Sequence, residues 1–249
     1  MVITSSSNKI VKDILDIKRK GKKSSSQLLF FEGQRLVEDV LACGAEIETL
    51  IIRESSSEKY SHICTNNKVI FSDKLFEHIS GTVNSQGIAL LAKRPILPIG
   101  GGKLFLALDR VQDPGNLGTI IRTALACDVD GIFLLKGTVD LYNEKALRST
   151  MGAIYKIPIY IDVEMDHLVN FIKEQGITPI KASIKGEQLY DKIPKGKYMV
   201  FVGNEGNGLS QEVEELEGLD VRIPLYGDIE SLNVAVATGI ILYGIKGNE

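Results

Sequence analysis

Short runs that are apolar from end to end, alternating with helical patterns, constrain this chain more than any other feature. Leu104–Leu108, Gly131–Leu135 and Tyr198–Val202 carry no charged side chain. A strand that is apolar on both sides needs both sides covered, which is the signature of a buried, mainly parallel sheet. Lys156–Tyr160, Thr178–Ala182 and Asp220–Ile223 read as further strands. Between them, Thr119–Cys127, Glu144–Met151, Met165–Gln175, Gln211–Glu217 and Asn233–Lys246 read as helices. The pattern predicts an α/β fold with helices on both faces of the sheet and ligands beyond the strand C-termini.

A smaller α/β/α layer precedes this one. Helices are expected at Lys9–Lys20, Arg35–Cys43 and Asp73–Ile79, with strands at Leu28–Phe31, Thr49–Arg53, Lys68–Phe71 and Gly87–Ala92. The stretch Lys93-Arg-Pro-Ile-Leu-Pro-Ile-Gly-Gly-Gly-Lys103 suits neither helix nor central strand. The expected organisation is therefore residues 1–95, a linker at 96–103, and a larger domain at 104–249.

Composition narrows the setting. No apolar run reaches the roughly 18 residues of a membrane span, and the Ser-rich start lacks the apolar core of a secretion signal. Cys43, Cys64 and Cys127 are widely spaced and odd in number, so a reducing cytosol is expected and a disulfide framework is not. His62 and Cys64 lack a second ligand pair, so no metal site is expected. The net charge of −3 conceals an asymmetry. Lys9, Lys12, Lys18, Arg19, Lys20, Lys22 and Lys23 face only Asp13 and Asp16 within residues 1–30, whereas 205–230 holds eight acids against Arg222. The basic end fits a phosphate-binding surface, and equally a solvated helix face.

Three Gly/Asn-bearing segments stand at strand ends. They are Asp113-Pro-Gly-Asn-Leu-Gly-Thr-Ile-Ile-Arg122, Val202-Gly-Asn-Glu-Gly-Asn-Gly-Leu209, and the run from Ile223 through Ser231 and Asn233 to Ala237. Ser231 and Asn233 open an apolar helix, where Ser is a favoured N-cap and an Asn inside the first turn needs a partner. Together the segments suggest one composite site. No G-x-G-x-x-G stands between a strand and a helix and no P-loop motif occurs, which disfavours dinucleotides and triphosphates. Ser231 sits in no G-x-S-x-G elbow, which disfavours a hydrolytic triad.

Asn116-x-Gly118-x-x-x-Arg122-x-Ala124, then Val202-Gly203-x-Glu205-x-x-Gly208-Leu209, then Ile223-Pro224-x-x-Gly227-x-x-x-Ser231-Leu-Asn-Val234 resemble the three ordered motifs of the SpoU (TrmH-like) RNA 2′-O-methyltransferases, within the SPOUT class. The resemblance covers residues 104–246. The first 95 residues resemble, less specifically, the ribosomal-protein-like substrate-binding domain of many members. What this implies is a deep trefoil knot in the C-terminal domain, a homodimer, and an S-adenosylmethionine pocket built largely from backbone. Gly203, Ile223 and Leu232 match the family's binding positions, with Asn204, Gly208 and Leu225 beside them. Arg122 matches the arginine implicated in activating the ribose hydroxyl; Asn116 is expected to orient Arg122 or the substrate, Glu205 to hold Arg122 or Asn116, and Ser231 and Asn233 to pin the third loop, cap the helix or touch the substrate. Glu205 as simple loop structure and Ser231 as a helix cap alone remain open readings.

The implied reaction is 2′-O-methylation of structured RNA, ribosomal RNA ahead of tRNA, with Lys18, Arg19, Lys20, Lys22 and Lys23 as an anchor for phosphates. The competing reading is a non-catalytic RNA-binding or assembly protein that keeps the fold. Gly244 departs from the family pattern, standing where an acidic residue is frequent.

Overall fold

The computed structural model describes residues 2–184 and 186–248, which pack as two compact units. One comprises Met1–Ile96 together with Asp140–Tyr155, and the other Leu97–Val139 with Lys156–Glu249. The segment Asp140–Tyr155 thus belongs to the first unit although it lies inside the stretch read above as the second domain.

In the first unit the chain runs β1 (Val2–Ile3), α1 (Lys9–Lys20), β2 (Leu28–Glu32), α2 (Gln34–Ala42), β3 (Ile47–Arg53), β4 (Lys68–Phe71), α3 (Asp73–Ile79) and β5 (Ile88–Lys93). The sheet order is β1-β4-β3-β5-β2, parallel across the first three strands and antiparallel across the rest. Val11, Ile14 and Ile17 recur along one side of α1 and pack with Leu75, Phe76 and Ile79 of α3 against Phe30, Ile51, Phe71 and Leu91. Asn8 caps α1 by accepting from the Ile10 N–H. Glu32 ends β2 as a buried carboxylate, accepting from Ser80, the Gly81 N–H and Thr82.

The second unit begins with β6 (Leu104–Leu108), α4 (Pro114–Ala126) and β7 (Gly131–Leu135). The chain then supplies α5 (Glu144–Thr150) to the first unit before returning with β8 (Ile159–Val163), α6 (Met165–Gln175) and β9 (Thr178–Ala182). It closes with β10 (Gln188–Leu189), β11 (Tyr198–Val202), α7 (Gln211–Glu214), β12 (Leu219–Arg222) and α8 (Val234–Lys246). The seven strands pair in the order β10-β12-β9-β11-β6-β7-β8, each pairing parallel. Phe105, Ala107, Met199 and Phe201 form one core with Leu168 and Ile172 of α6 and Val213 of α7. Alternation sends the neighbouring residues of β6 and β11 to the opposite face, where α4 and α8 pack together. Among the described residues, no helix is long and apolar enough to cross a membrane.

Three differences from the sequence reading have physical causes. The fourth helix starts at Pro114, not Thr119, because Pro is favoured at N1 and Asp113 caps the turn through the Asn116 N–H (2.8 Å). The strand expected at Lys156–Tyr160 lies at Ile159–Val163, since Ala153–Tyr155 first forms a 3-10 turn. The last helix begins after Asn233, which is itself the N-cap, so Ser231 is not the cap. Gly244 has a local reason as well: a Cβ there would stand 2.6 Å from the Tyr190 carbonyl oxygen.

Candidate active site

All the strands of the second sheet run the same way, so the segments after β6, β11 and β12 emerge at one edge. Side-chain amides and one carboxylate tie them together. The Asn116 Nδ2 donates to Glu205 Oε1 (3.0 Å), and the Asn233 Nδ2 donates to Asn116 Oδ1 (3.0 Å). Each partner comes from a different segment. Asn233 Oδ1 in turn accepts from the Ala235 and Val236 N–H groups at the start of α8. Glu205 also accepts from the N–H groups of Gln112 (3.1 Å) and Asp113 (3.2 Å). The result is a continuous chain from Glu205 through Asn116 to the amino end of α8.

The backbone around this chain is close-fitted. Asn204 and Gly208 exchange two backbone hydrogen bonds (2.9 and 3.0 Å), with Gly208 left-handed at φ 68°. A Cβ on Gly203 would lie 2.3 Å from the Gly208 carbonyl group, so only glycine fits there. The Asn204 Nδ2 reaches the Arg110 carbonyl (2.9 Å), which also accepts from Gln112 Nε2 (3.0 Å). Arg110 is held at φ 58°, a conformation non-glycine residues adopt at a cost of about 1–2 kcal/mol.

A cavity stands at the ends of β9 and β12. It is lined by Ala182, Ser183 and Ile184 on one side, by Val221, Ile223 and Leu225 on another, and by Ser231, Leu232, Ala237 and Ile241 toward α8. Its walls are apolar, with two hydroxyls and loop backbone as the polar elements. That composition suits a flat heterocycle with a polar edge. Of the residues expected to hold a cofactor, Ile223, Leu225 and Leu232 line this cavity, whereas Gly203, Asn204 and Gly208 belong to the loop after β11 and do not line it. Ser231 lines it too.

Residues 103–243 match the SpoU rRNA Methylase family model, more than half of the chain. The chain belongs to that family. Residues 8–90 match the MRM3-like substrate binding domain. The 23S rRNA (guanosine(2553)-2'-O)-methyltransferase RlmP of Bacillus subtilis is 32% identical over 246 residues, 98% of this chain and 99% of its own. An AdoMet-bound rRNA methyltransferase from Sinorhizobium meliloti superposes with a TM-score of 0.84 at 32% identity, covering 99% of this chain and 97% of that one. The AdoMet complex of the SpoU methyltransferase AviRb from Streptomyces viridochromogenes gives 0.85 at 20% identity, a likeness of fold.

Against the SpoU motifs, the structure gathers Asn116, Glu205 and Asn233 into one bonded group. Arg122 stands apart from it. It is exposed, about 9 Å further along α4 than Asn116 by helical rise, and makes no hydrogen bond or ion pair among the described residues. At Glu205, burial pushes the carboxyl pKa up. The hydrogen bonds from Asn116 and from the N–H groups of Gln112 and Asp113 outweigh this and leave the pKa below its usual value.

The basic cluster divides. Lys18 is engaged, with its Nζ on the Ile79 carbonyl (2.7 Å), on Glu144 (3.1 Å) and over the Phe30 ring. Arg19 and Lys20 pair with Asp16, while Lys23 is exposed. The Lys22 N–H donates to Asp140. Sequence reasoning missed Asp109, Gln112 and the Ala182–Ile184 wall. Asp109 is buried at the end of β6, where it takes the Ser210 N–H and the Arg110 Nε. An acid closing an otherwise apolar strand was the available signal. The cavity wall after β9 carried none.

Proposed function

We propose that this chain transfers a methyl group from S-adenosylmethionine to a ribose 2′-hydroxyl of ribosomal RNA. The observation that carries the reading is the chain of hydrogen bonds Glu205–Asn116–Asn233 beside the cavity, in a protein matched along its length by family relatives. S-adenosylmethionine, when bound, supplies an electrophilic methyl group on a sulfonium sulfur. Ile223, Leu225 and Leu232 would hold its apolar part, with Ser183 and Ser231 at the polar edge.

Every other task falls to this chain's own side chains. Glu205 and Asn233 fix the Asn116 amide from its two ends, so that its orientation is set before substrate arrives. Arg122 clamps the phosphate adjoining the target and stabilises alkoxide charge as the 2′-hydroxyl loses its proton to water. A guanidinium stays protonated in proteins, so Arg122 acts by charge and not as a base.

Residues 1–95 serve as the RNA-docking domain, with phosphates met by Arg19, Lys20, Lys22 and Lys23; Lys18 is committed to Glu144 and Ile79. Two copies pair through α8, where Val236 and Tyr243, two turns apart, are 52% and 56% exposed. The C-terminal segment is threaded as a trefoil knot, a reading that the SpoU family match over residues 103–243 supports. The protein works in the cytoplasm, beside its RNA. Mapping ribose methyl groups across total RNA from cells with and without the gene tests the activity. One 23S position should lose its mark, and an unchanged map would reject the reading.

A further inference from the structure

The third segment, between β12 and α8, carries a side chain that the methyl-transfer machinery does not use. Tyr226 is 95% exposed, and no hydrogen bond or ion pair of its side chain exists among the described residues. Its position is not incidental. Leu225, the preceding residue, lines the cavity, and Ser231 of the same loop lines it again. The loop then passes to Asn233, bonded to Asn116. A phenol ring fully in water thus sits on the same loop as two cavity-lining residues, next in sequence to one of them.

Charge decides what such a ring can meet. Asp228 and Glu230 follow it on the same exposed loop, and the only cation near in sequence is Arg222, back in β12. Two carboxylates repel a phosphate backbone, so this loop does not follow the phosphates of an RNA strand. A nucleobase carries no charge, presents a π-face to an aromatic ring, and offers amino and imino N–H groups to carboxylates. Sequence-specific RNA readers use aromatic side chains in this way on splayed nucleotides.

We infer that Tyr226 is the stacking platform for the base of the nucleotide being methylated, with Asp228 and Glu230 excluding phosphate from that side. The inference rests on the proposed 2′-O-methyltransferase activity and adds the residue that grips the target base.

The chain contains no tryptophan, which makes the test direct. Tyr226→Trp creates a single-tryptophan protein that keeps an aromatic platform. It should methylate an unmodified 23S rRNA transcript within about threefold of the wild type. Its fluorescence should be quenched by that RNA and not by heparin, a polyanion without bases. Tyr226→Ala should raise the KM for RNA by about 5- to 150-fold, the range expected from loss of one stacked base. S-adenosylmethionine binding by calorimetry and the sedimentation coefficient should stay unchanged. Equal quenching by heparin, a KM for Tyr226→Ala within twofold of wild type, a parallel loss of donor binding, or a changed oligomeric state would each overturn it. Active wild type with an unaffected Tyr226→Ala sinks this inference alone. Wild type that transfers no methyl group to that RNA sinks the parent activity, and this inference with it.

Discussion

Two carboxylates, one in each unit, are wrapped in hydrogen bonds and differ in what they join. Glu32 is buried, and its partners Ser80, Gly81 and Thr82 come from one short loop. Glu205 is exposed, and its partners Gln112, Asp113 and Asn116 belong to a distant segment that reaches on to Asn233. Both have pKa values held below the usual glutamate range by their donors, against the upward push of burial. The shared chemistry therefore says little about role. Burial with a local partner set makes Glu32 a clasp for its loop. Exposure with partners drawn from separate motifs fits Glu205 to the proposed role of organising the site.

The largest expected effect lies at the exposed end of this contrast. Arg122→Ala and Asn116→Ala should each lower kcat by about 100-fold or more, the scale of one lost charge-stabilising donor. Calorimetry should find donor affinity within twofold of wild type. A kcat near the wild-type value would remove either residue from the reaction. Next comes stability. Glu32→Ala takes the shared acceptor from Ser80, the Gly81 N–H and Thr82 and should cost about 1–3 kcal/mol in urea unfolding, with kcat unchanged. Glu205→Gln should do the reverse, reducing kcat while barely moving the unfolding midpoint. If the two variants behaved alike, the distinction between clasp and organiser would fail.

Smaller again is the docking effect. Reversing the charge at Lys20, Lys22 and Lys23 should weaken RNA binding by about tenfold at moderate salt and flatten its salt dependence, with donor binding untouched. Lys18→Glu should instead destabilise the first unit, because Lys18 already holds Glu144 and Ile79. The smallest effect is that of acid. A depressed carboxylate pKa stabilises the fold above the ordinary value of 4.5, and that contribution is lost as pH falls through the lowered value. The Glu32 loop should therefore keep its amide exchange protection at pH 5 and lose it only in stronger acid. Loss of protection at pH 5 would contradict the depressed pKa.

Much of this architecture was legible beforehand, for identifiable reasons. Leu104–Leu108, Gly131–Leu135 and Tyr198–Val202 could be placed to the residue because runs apolar on both faces admit few homes. The start of α4 was hidden because Pro-Gly-Asn reads as a turn until the Asp113 cap is seen. The three motifs could be read as one site, but not their wiring, since hydrogen bonds between Asn116 and residues about a hundred positions away leave no periodicity. Lys18 looked like its basic neighbours, and only tertiary structure reveals that it is committed. The affiliation of Asp140–Tyr155 with the first unit was likewise invisible. Its helical pattern says which face is apolar, not which core it joins.

That Asn116, Glu205 and Asn233 work as a single unit is best tested by a double-variant cycle on kcat. Glu205→Gln and Asn233→Ala remove opposite ends of the chain of hydrogen bonds and share no direct contact in it. The double variant should be no slower than the slower of the two single variants, as for residues that act only together. Losses that multiply would show independent contributions and contradict the account.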